Sequence, residues 1–311
     1  MKDYAPILNA LHSKYSKINE GNLASYIPQL TKASPEDFAL AIVTVDGKVF
    51  TAGATETSFT LQSTSKPFVY ALALEEFGQE FMRTKVGVEP TGEAFNSIVE
   101  LEKKTHRPYN PMINSGAIAV SSLIKDKNNQ DRLSRTLNFF SDLAGNNLSL
   151  DEEVFQSEKS TAHRNRSIAH LLRHFDIIDS DIEGALDLYF KQCSILVNTI
   201  DLAFMAATLA NSGVQPKTQK SILKKETVPD VLSLMFTCGM YDTSGEWAYT
   251  IGLPSKSGVS GGVLTVVPGK MGIATYSPLI DDHGHSVRGV KALAEFVKAE
   301  NLNIFTTSLN R

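Results

Sequence analysis

Two stretches with the composition and turn chemistry of β-hairpins stand near opposite ends of the chain, and they constrain the fold more than any other feature. The first is Phe38-Ala-Leu-Ala-Ile-Val-Thr-Val45, then Asp46-Gly47, then Lys48-Val-Phe-Thr-Ala52. An Asp-Gly pair between two such runs is a strong hairpin signal, because both residue types tolerate positive φ in a tight turn. The second is Gly262-Val-Leu-Thr-Val-Val267, then Pro268-Gly269-Lys270, then Met271-Gly-Ile-Ala-Thr-Tyr276. Hairpins so distant in sequence can pair in one antiparallel sheet, with helices on its face. Both chain ends offer such a helix. Ile7, Leu8, Leu11 and Tyr15 share one side near the N-terminus. Val287, Val290, Leu293, Ala294 and Val297 share a face between His285 and Glu300.

The middle reads as helical. Apolar periodicity predicts helices over Pro67–Phe77, Gly116–Ile124, Asp131–Leu143, Ile182–Gln192, Thr199–Asn211 and Val228–Cys238. The Asn211-Ser212-Gly213 stop is a good helix terminus. This is α+β logic, an antiparallel sheet with flanking helices and an inserted helical lobe, not the strand–helix alternation of a doubly wound sheet. The expectation is a single domain over 1–311, with a sheet lobe from residues 1–62 and 245–311 and a helical lobe over 63–244. A cleft between lobes is the default place for a site.

Composition sets limits. The 311 residues are 42% hydrophobic and 21% charged, enough for a substantial core. A net charge of −4 gives no basic field for a nucleic acid or an anionic membrane. Cys193 and Cys238 are the only cysteines, neither sits in a Cys-x-x-Cys, and no Cys/His cluster has metal-ligand spacing. No metal and no cofactor are expected, and two buried thiols fit a reducing compartment. The N-terminal stretch lacks a signal-peptide core, and no run approaches the roughly 20 apolar residues of a membrane span. The sequence therefore reads as a soluble cytoplasmic protein.

One short stretch carries chemistry. Leu61-Gln62-Ser63-Thr64-Ser65-Lys66-Pro67 follows a β-like run and opens a helix-like one. The Ser-x-x-Lys spacing recurs at Ser122/Lys125 and Ser221/Lys224, so the pattern alone is weak. Only Ser63 stands at a β-to-α junction before an apolar helix. A helix start leaves N–H groups unpaired and carries partial positive charge, and both would stabilise an oxyanion. Spacing of three residues puts Ser63 and Lys66 on one face, and burial would ease loss of the lysine proton. A neutral amine could then take the serine proton. The competing reading is that Ser63 or Thr64 only caps the helix.

A second element supports chemistry. Lys256-Ser257-Gly258 stands just before the second hairpin. Ser-x-x-Lys paired with Lys-Thr-Gly marks penicillin-binding proteins and class A β-lactamases, and Lys-Ser-Gly keeps the cation, the hydroxyl and the glycine. The glycine allows a strand to approach substrate closely, and an N–H just after it can serve as a second oxyanion donor.

Other stretches resemble the glutaminase family, which shares the serine β-lactamase-like fold. They are Tyr26-Ile-Pro-Gln-Leu30, Asn110-Pro-Met-Ile-Asn-Ser-Gly-Ala117, Phe155-Gln-Ser-Glu158, Arg164-Asn165, Asp187-Leu-Tyr-Phe190, Ala206–Asn211, Cys238-Gly-Met-Tyr-Asp242 and Gly252–Val259. The resemblance implies a single catalytic domain that hydrolyses the side-chain amide of L-glutamine to L-glutamate and ammonia. It implies Ser63 as nucleophile, Lys66 as base, and the N–H groups of Ser63 and Val259 as oxyanion hole. Tyr241 and Tyr189 match active-site tyrosines that can relay protons. Glu158 suits the α-ammonium, Asn114 and Asn165 match binding positions for the α-amino-acid end, and Tyr26, Gln62 and Tyr189 complete the pocket. Trp247, the one tryptophan, reads as packing. The family likeness also implies a homotetramer. Two rival readings stand beside it: a penicillin-recognising acyl-serine hydrolase, which fits poorly without a Ser-Asp-Asn, and a non-catalytic amino-acid-binding protein.

Overall fold

The computed structural model describes residues 2–94, 96–102, 105–127 and 131–306, so both ends of the expected 1–311 domain lie outside the described residues. Its main sheet is made of β1 (Ala39–Thr44), β2 (Val49–Gly53), β3 (Ser255–Ser257), β4 (Gly262–Val267) and β5 (Met271–Tyr276). The helices are α1 (Ala5–Tyr15), α2 (Lys66–Lys85), α3 (Asn114–Leu123), α4 (Arg132–Ala144), α5 (Glu152–Thr161), α6 (His163–His174), α7 (Ile182–Cys193), α8 (Thr199–Ala210), α9 (Thr227–Cys238), α10 (Ser244–Thr250) and α11 (Val287–Ala299).

Both expected hairpins form, and they join. β1 pairs with β5 in antiparallel register from Ala39↔Tyr276 to Thr44↔Met271, giving the strand order β2-β1-β5-β4-β3. The Lys-Ser-Gly segment supplies the edge strand β3. Every residue of β1, β4 and β5 is buried, so both faces of the sheet are covered. Strand alternation divides them. Leu40, Ile42, Val263 and Ile273 pack with Leu8 and Leu11 of α1 and Leu293 and Phe296 of α11. Ala39, Ala41, Val43, Leu264 and Ala274 pack with α8.

The α8 face is made of small residues for a steric reason. A Cβ on Gly272 would run into the backbone of Ala203 and Ala207, so helix and strand meet nearly main chain to main chain. The run Ala203, Ala206, Ala207 and Ala210 permits that approach along the helix. The Asn198 side chain and Asp201 close a reciprocal capping box at its start. Trp247 is buried in the core on the α1/α11 side and donates to Leu253 O at 3.2 Å, so it packs as expected.

The six predicted middle helices all form, with ends shifted by a few residues. α2 extends to Lys85, past the predicted stop at Phe77, but Gly78 has φ 76° and breaks the regular helix there. Among the features not read from the sequence, three stand close to the site. α5 and α6 are polar helices with few apolar positions; only Val154, Phe155 and Glu158 are buried on α5. On α6 they are Asn165, Ile168, Ala169 and Leu172. The third is a small antiparallel sheet of Phe59–Thr60, Ile195–Val197 and Ser149–Leu150, set within the helical part. It bears directly on the Ser63 turn.

Candidate active site

The Ser63 turn is anchored from behind. Leu61 N–H donates to Ile195 O at 2.9 Å, which pins the chain as it leaves the small sheet. Gln62 then adopts φ 48°, a left-handed conformation that costs a non-glycine residue roughly 1–3 kcal/mol and persists only when its surroundings enforce it. The chain passes through a 3-10 turn, Gln62–Ser65, directly into α2. Thr64 Oγ1 donates to Leu61 O at 2.6 Å and Ser65 Oγ to Gln62 O at 2.7 Å, so both neighbouring hydroxyls are committed to the turn. Neither this turn nor α2 has a side-chain cap, so the capping alternative fails. Ser63 is buried, with its hydroxyl beside the Tyr241 phenol.

Lys66 opens α2 and is 1% exposed. Its Nζ donates to Asn114 Oδ1 at 2.8 Å and to Met112 O at 3.1 Å. Neither acceptor is charged. Burial therefore pulls its pKa down to about 8, although Cys193 and Glu158 oppose the shift. A neutral amine has two N–H bonds and one lone pair. The two acceptors match the N–H bonds, which leaves the lone pair for a proton from the serine one helical turn away.

Asn114, at the start of α3, is the hub. Asn110 Oδ1 accepts from Met112 N–H at 3.0 Å and shapes the loop before it. Asn114 Oδ1 accepts from Lys66 and from the Tyr189 phenol at 3.2 Å, so its Nδ2 faces Asn165 and donates to Asn165 Oδ1 at 3.0 Å. Asn165 Nδ2 in turn reaches the Tyr26 phenol at 3.4 Å. This chain of bonds joins α2, α3, α6 and α7 to the Tyr26 segment.

Glu158, on α5, is 3% exposed, and its Oε2 has no hydrogen-bond partner among the described residues. Burial pushes its pKa up to about 8, against the pull of Lys66. Glu158 also adds to the burial that lifts the Tyr26 phenol to about 12, so the carboxyl lies close to the end of the amide chain. A buried carboxylate oxygen without a partner is a strong place for a ligand cation.

The sheet closes the site from the other side. Lys256 of β3 is fully buried, donates to Ser257 O at 2.7 Å and stands 3.8 Å over the Tyr241 ring. Burial first, and the charge of Lys66 second, hold its pKa far below the ordinary lysine range. Tyr241 itself has φ 54°, a second left-handed residue beside the serine. Its phenol is held well above the usual range by burial, while the neighbouring Ser63 works against that shift. A Cβ on Gly258 would lie 2.9 Å from Leu61 O, so the end of β3 rests on the Ser63 turn. Val259 follows at once and lines a cavity of about 330 Å³ with Thr60 and Ser260.

The glutaminase family model matches residues 21–305. The chain belongs to the glutaminase family. A glutaminase of Trichormus variabilis is 52% identical over 299 residues, 96% of this chain and 89% of that protein. Glutaminase 1 of Escherichia coli is 46% identical over 294 residues, 94% of this chain and 95% of that one. The structure superposes on a solved probable glutaminase, ybaS, with TM-score 0.94 and 44% identity, covering 97% of each chain. A second, Mglu in its glutamate form, gives TM-score 0.92 at 40% identity over 97% of this chain and 70% of that one. The α+β architecture read from the sequence is thus the β-lactamase-like fold of glutaminases.

For a glutaminase, the expected residues converge closely. Hydrogen bonds join Lys66, Asn114, Asn165, Tyr26 and Tyr189 into one network, and Glu158, Ser63 and Tyr241 lie near it. Gln62 stands apart: its Nε2 donates to Thr60 Oγ1 at 3.2 Å, and its backbone conformation is its visible contribution. Val259 is placed by the approach of Gly258, not by its side chain. The sequence reading did not count Lys256 as a site residue, although the Lys-Ser-Gly motif signalled it. It also missed Cys193, whose buried thiol lies behind the turn near Ser65 and Tyr189 and carries no sequence signal. Among the described residues, no group of three or more His, Cys, Asp or Glu is placed to hold a metal ion.

Lys66 must lose a proton to act as base, and Glu158 must lose one to bind a cation, so kcat/KM rises as pH climbs through about 8. Asn114→Asp puts a carboxylate against Lys66, stabilises the ammonium and moves that rise to higher pH by about one unit or more. A pH–rate series on both proteins checks it; an unshifted profile would show that Asn114 does not set the state of Lys66.

Proposed function

We propose that this chain hydrolyses L-glutamine to L-glutamate and ammonia through a Ser63 acyl-enzyme. The observation that carries the mechanism is the buried Lys66 beside Ser63, held by uncharged acceptors only. In the first step Lys66 Nζ takes the Ser63 proton and Oγ attacks the side-chain amide carbon. The resulting oxyanion faces the backbone N–H groups of Ser63 and Val259. The proton taken up by Lys66 then travels through the Tyr241 phenol, which gives its own hydrogen to the leaving nitrogen as it receives the lysine's, so that Lys66 is neutral again and ammonia departs to leave a γ-glutamyl ester. Water then attacks the ester, gives its proton back through the same groups and releases glutamate. Tyr189 steadies Asn114 and hence Lys66.

The other end of the substrate is a zwitterion. Glu158 pairs with its α-ammonium through the unpartnered Oε2, and Asn165, Asn114 and Tyr26 offer polar groups to the remainder. A solved relative, Mglu, has been seen in a glutamate form, and glutamate is the product expected here. In this reading the stretch 1–311 works as one catalytic unit with a sheet lobe and a helical lobe, in the cytoplasm, as a homotetramer. Two free, buried cysteines suit a reducing compartment, and among the described residues no helix is long and apolar enough to cross a membrane.

Wild type should release glutamate and ammonia one to one from L-glutamine, and Ser63→Ala should lose at least about 10³-fold in kcat. A coupled assay for both products checks this; turnover untouched by Ser63→Ala would remove the acyl-enzyme. Sedimentation equilibrium should return the mass of four chains, and any other mass would remove the tetramer.

A further inference from the structure

His285 is not part of the reaction as described, yet it touches both walls of the site. It is 4% exposed and sits at the end of the loop before α11. Its main-chain N–H donates to Asp281 Oδ1 at 2.9 Å, which fixes the loop. Its Nδ1 lies 2.9 Å from Ser257 Oγ on β3, and its Nε2 lies 2.8 Å from Thr243 Oγ1, in the turn that carries Tyr241. The imidazole stands nearly parallel to the Tyr241 ring, with centroids 6.1 Å apart and an angle of 7°.

The tautomer follows from the neighbours. Thr243 Oγ1 gives its one proton to Met240 O at 2.7 Å, so it can only accept from the histidine. Nε2 therefore carries the hydrogen, Nδ1 is bare, and Ser257 donates to it. The result is a one-way relay from Ser257 through His285 and Thr243 to the carbonyl of Met240, the residue before Tyr241. Tyr241 is strained at φ 54°, and such a conformation lasts only where contacts enforce it. Asp281 and Asp242 raise the imidazole pKa and Lys256 and His283 lower it; burial outweighs them all and brings it to about 4. The ring is thus a fixed neutral link, not a proton carrier.

We propose that His285 is a positioning residue for glutamine hydrolysis, clamping the Tyr241 turn to the Lys-Ser-Gly strand so that the phenol stays on Ser63. The proposal rests on the reading of Tyr241 as the proton-relay phenol. It is tested by a double-mutant cycle in steady-state kinetics with thermal melting alongside. His285→Ala should lower kcat about tenfold or more with KM changed less than about twofold. In a Tyr241→Phe background the same substitution should change kcat by less than about twofold, since the phenol it positions is gone. Thr243→Val, which cuts only the arm to the Tyr241 turn, should match His285→Ala and serves if the latter fails to fold. His285→Gln, whose amide nitrogen reaches the place of Nε2, should recover part of the rate, and His285→Phe, which only fills the space, should not. Additive losses in the cycle, or recovery by phenylalanine in place of glutamine, would overturn the clamp and assign His285 to packing. A Tyr241→Phe protein as fast as wild type would remove the relay reading itself, and the clamp with it.

Discussion

A lysine held in a dry interior by neutral acceptors is the constraint on which this site depends. Water would keep Lys66 protonated until well above neutral pH; burial without a carboxylate partner brings the pKa down to about 8, where the neutral amine becomes accessible. Asn114 Oδ1 and Met112 O satisfy the N–H bonds of the amine without stabilising its charge in the way an aspartate would. Glu158, buried in the same pocket, is pushed the opposite way for the same reason, and its own pKa also reaches about 8. Each group acts weakly on the other, Glu158 raising the lysine pKa and Lys66 lowering the carboxyl pKa, against the larger effect of burial. A ligand ammonium at Glu158 would favour the carboxylate there, which ties binding at one end of the substrate to the protonation state at the other.

The rest of the fold serves that arrangement. The sheet is joined from hairpins near the two ends of the chain, and Gly272 lets α8 lie against it, so β3 is held by a rigid core. Gly258 then brings the end of β3 onto the turn that carries Ser63. On the other side, the small sheet pins Leu61, and α3, α6 and α7 each deliver one residue to the Asn114 network. Gln62 and Tyr241, both left-handed, flank the serine from two separate segments. Strain at such positions is the cost of geometry that regular elements do not offer. Lys256 adds a second buried amine over the Tyr241 ring, and burial together with the charge of Lys66 favours its neutral form.

Much of this was legible in the residues, and the reasons differ by element. The hairpins announced themselves through Asp46-Gly47 and Pro268-Gly269-Lys270, because turn chemistry is local. The long apolar helices showed their period. α5 and α6 did not, because each buries few apolar side chains and devotes buried positions to Glu158 and Asn165. Those two residues were found instead through motif resemblance, which reads chemistry where periodicity is silent. Of the small sheet only the β-like run before Leu61 was read, because strands as short as Ile195–Val197 and Ser149–Leu150 carry too little alternation to detect. Left-handed φ at Gln62 and Tyr241 is set by tertiary contacts, and no residue type declares it. His285 was invisible for the same reason: a lone histidine gains meaning only when Ser257 and Thr243 arrive on either side.

The most direct test of the central claim is the pKa of Lys66 itself. It can be read by ¹⁵N NMR titration of the lysine Nζ groups, with Lys66→Met to identify the signal and Lys256→Met to separate the second buried lysine. The account predicts a Lys66 titration near about 8 in the free protein. A Lys66 that titrates at the ordinary lysine value of about 10.4 would contradict it, since the residue would then be an ammonium wherever the protein is folded and could not take the proton of Ser63.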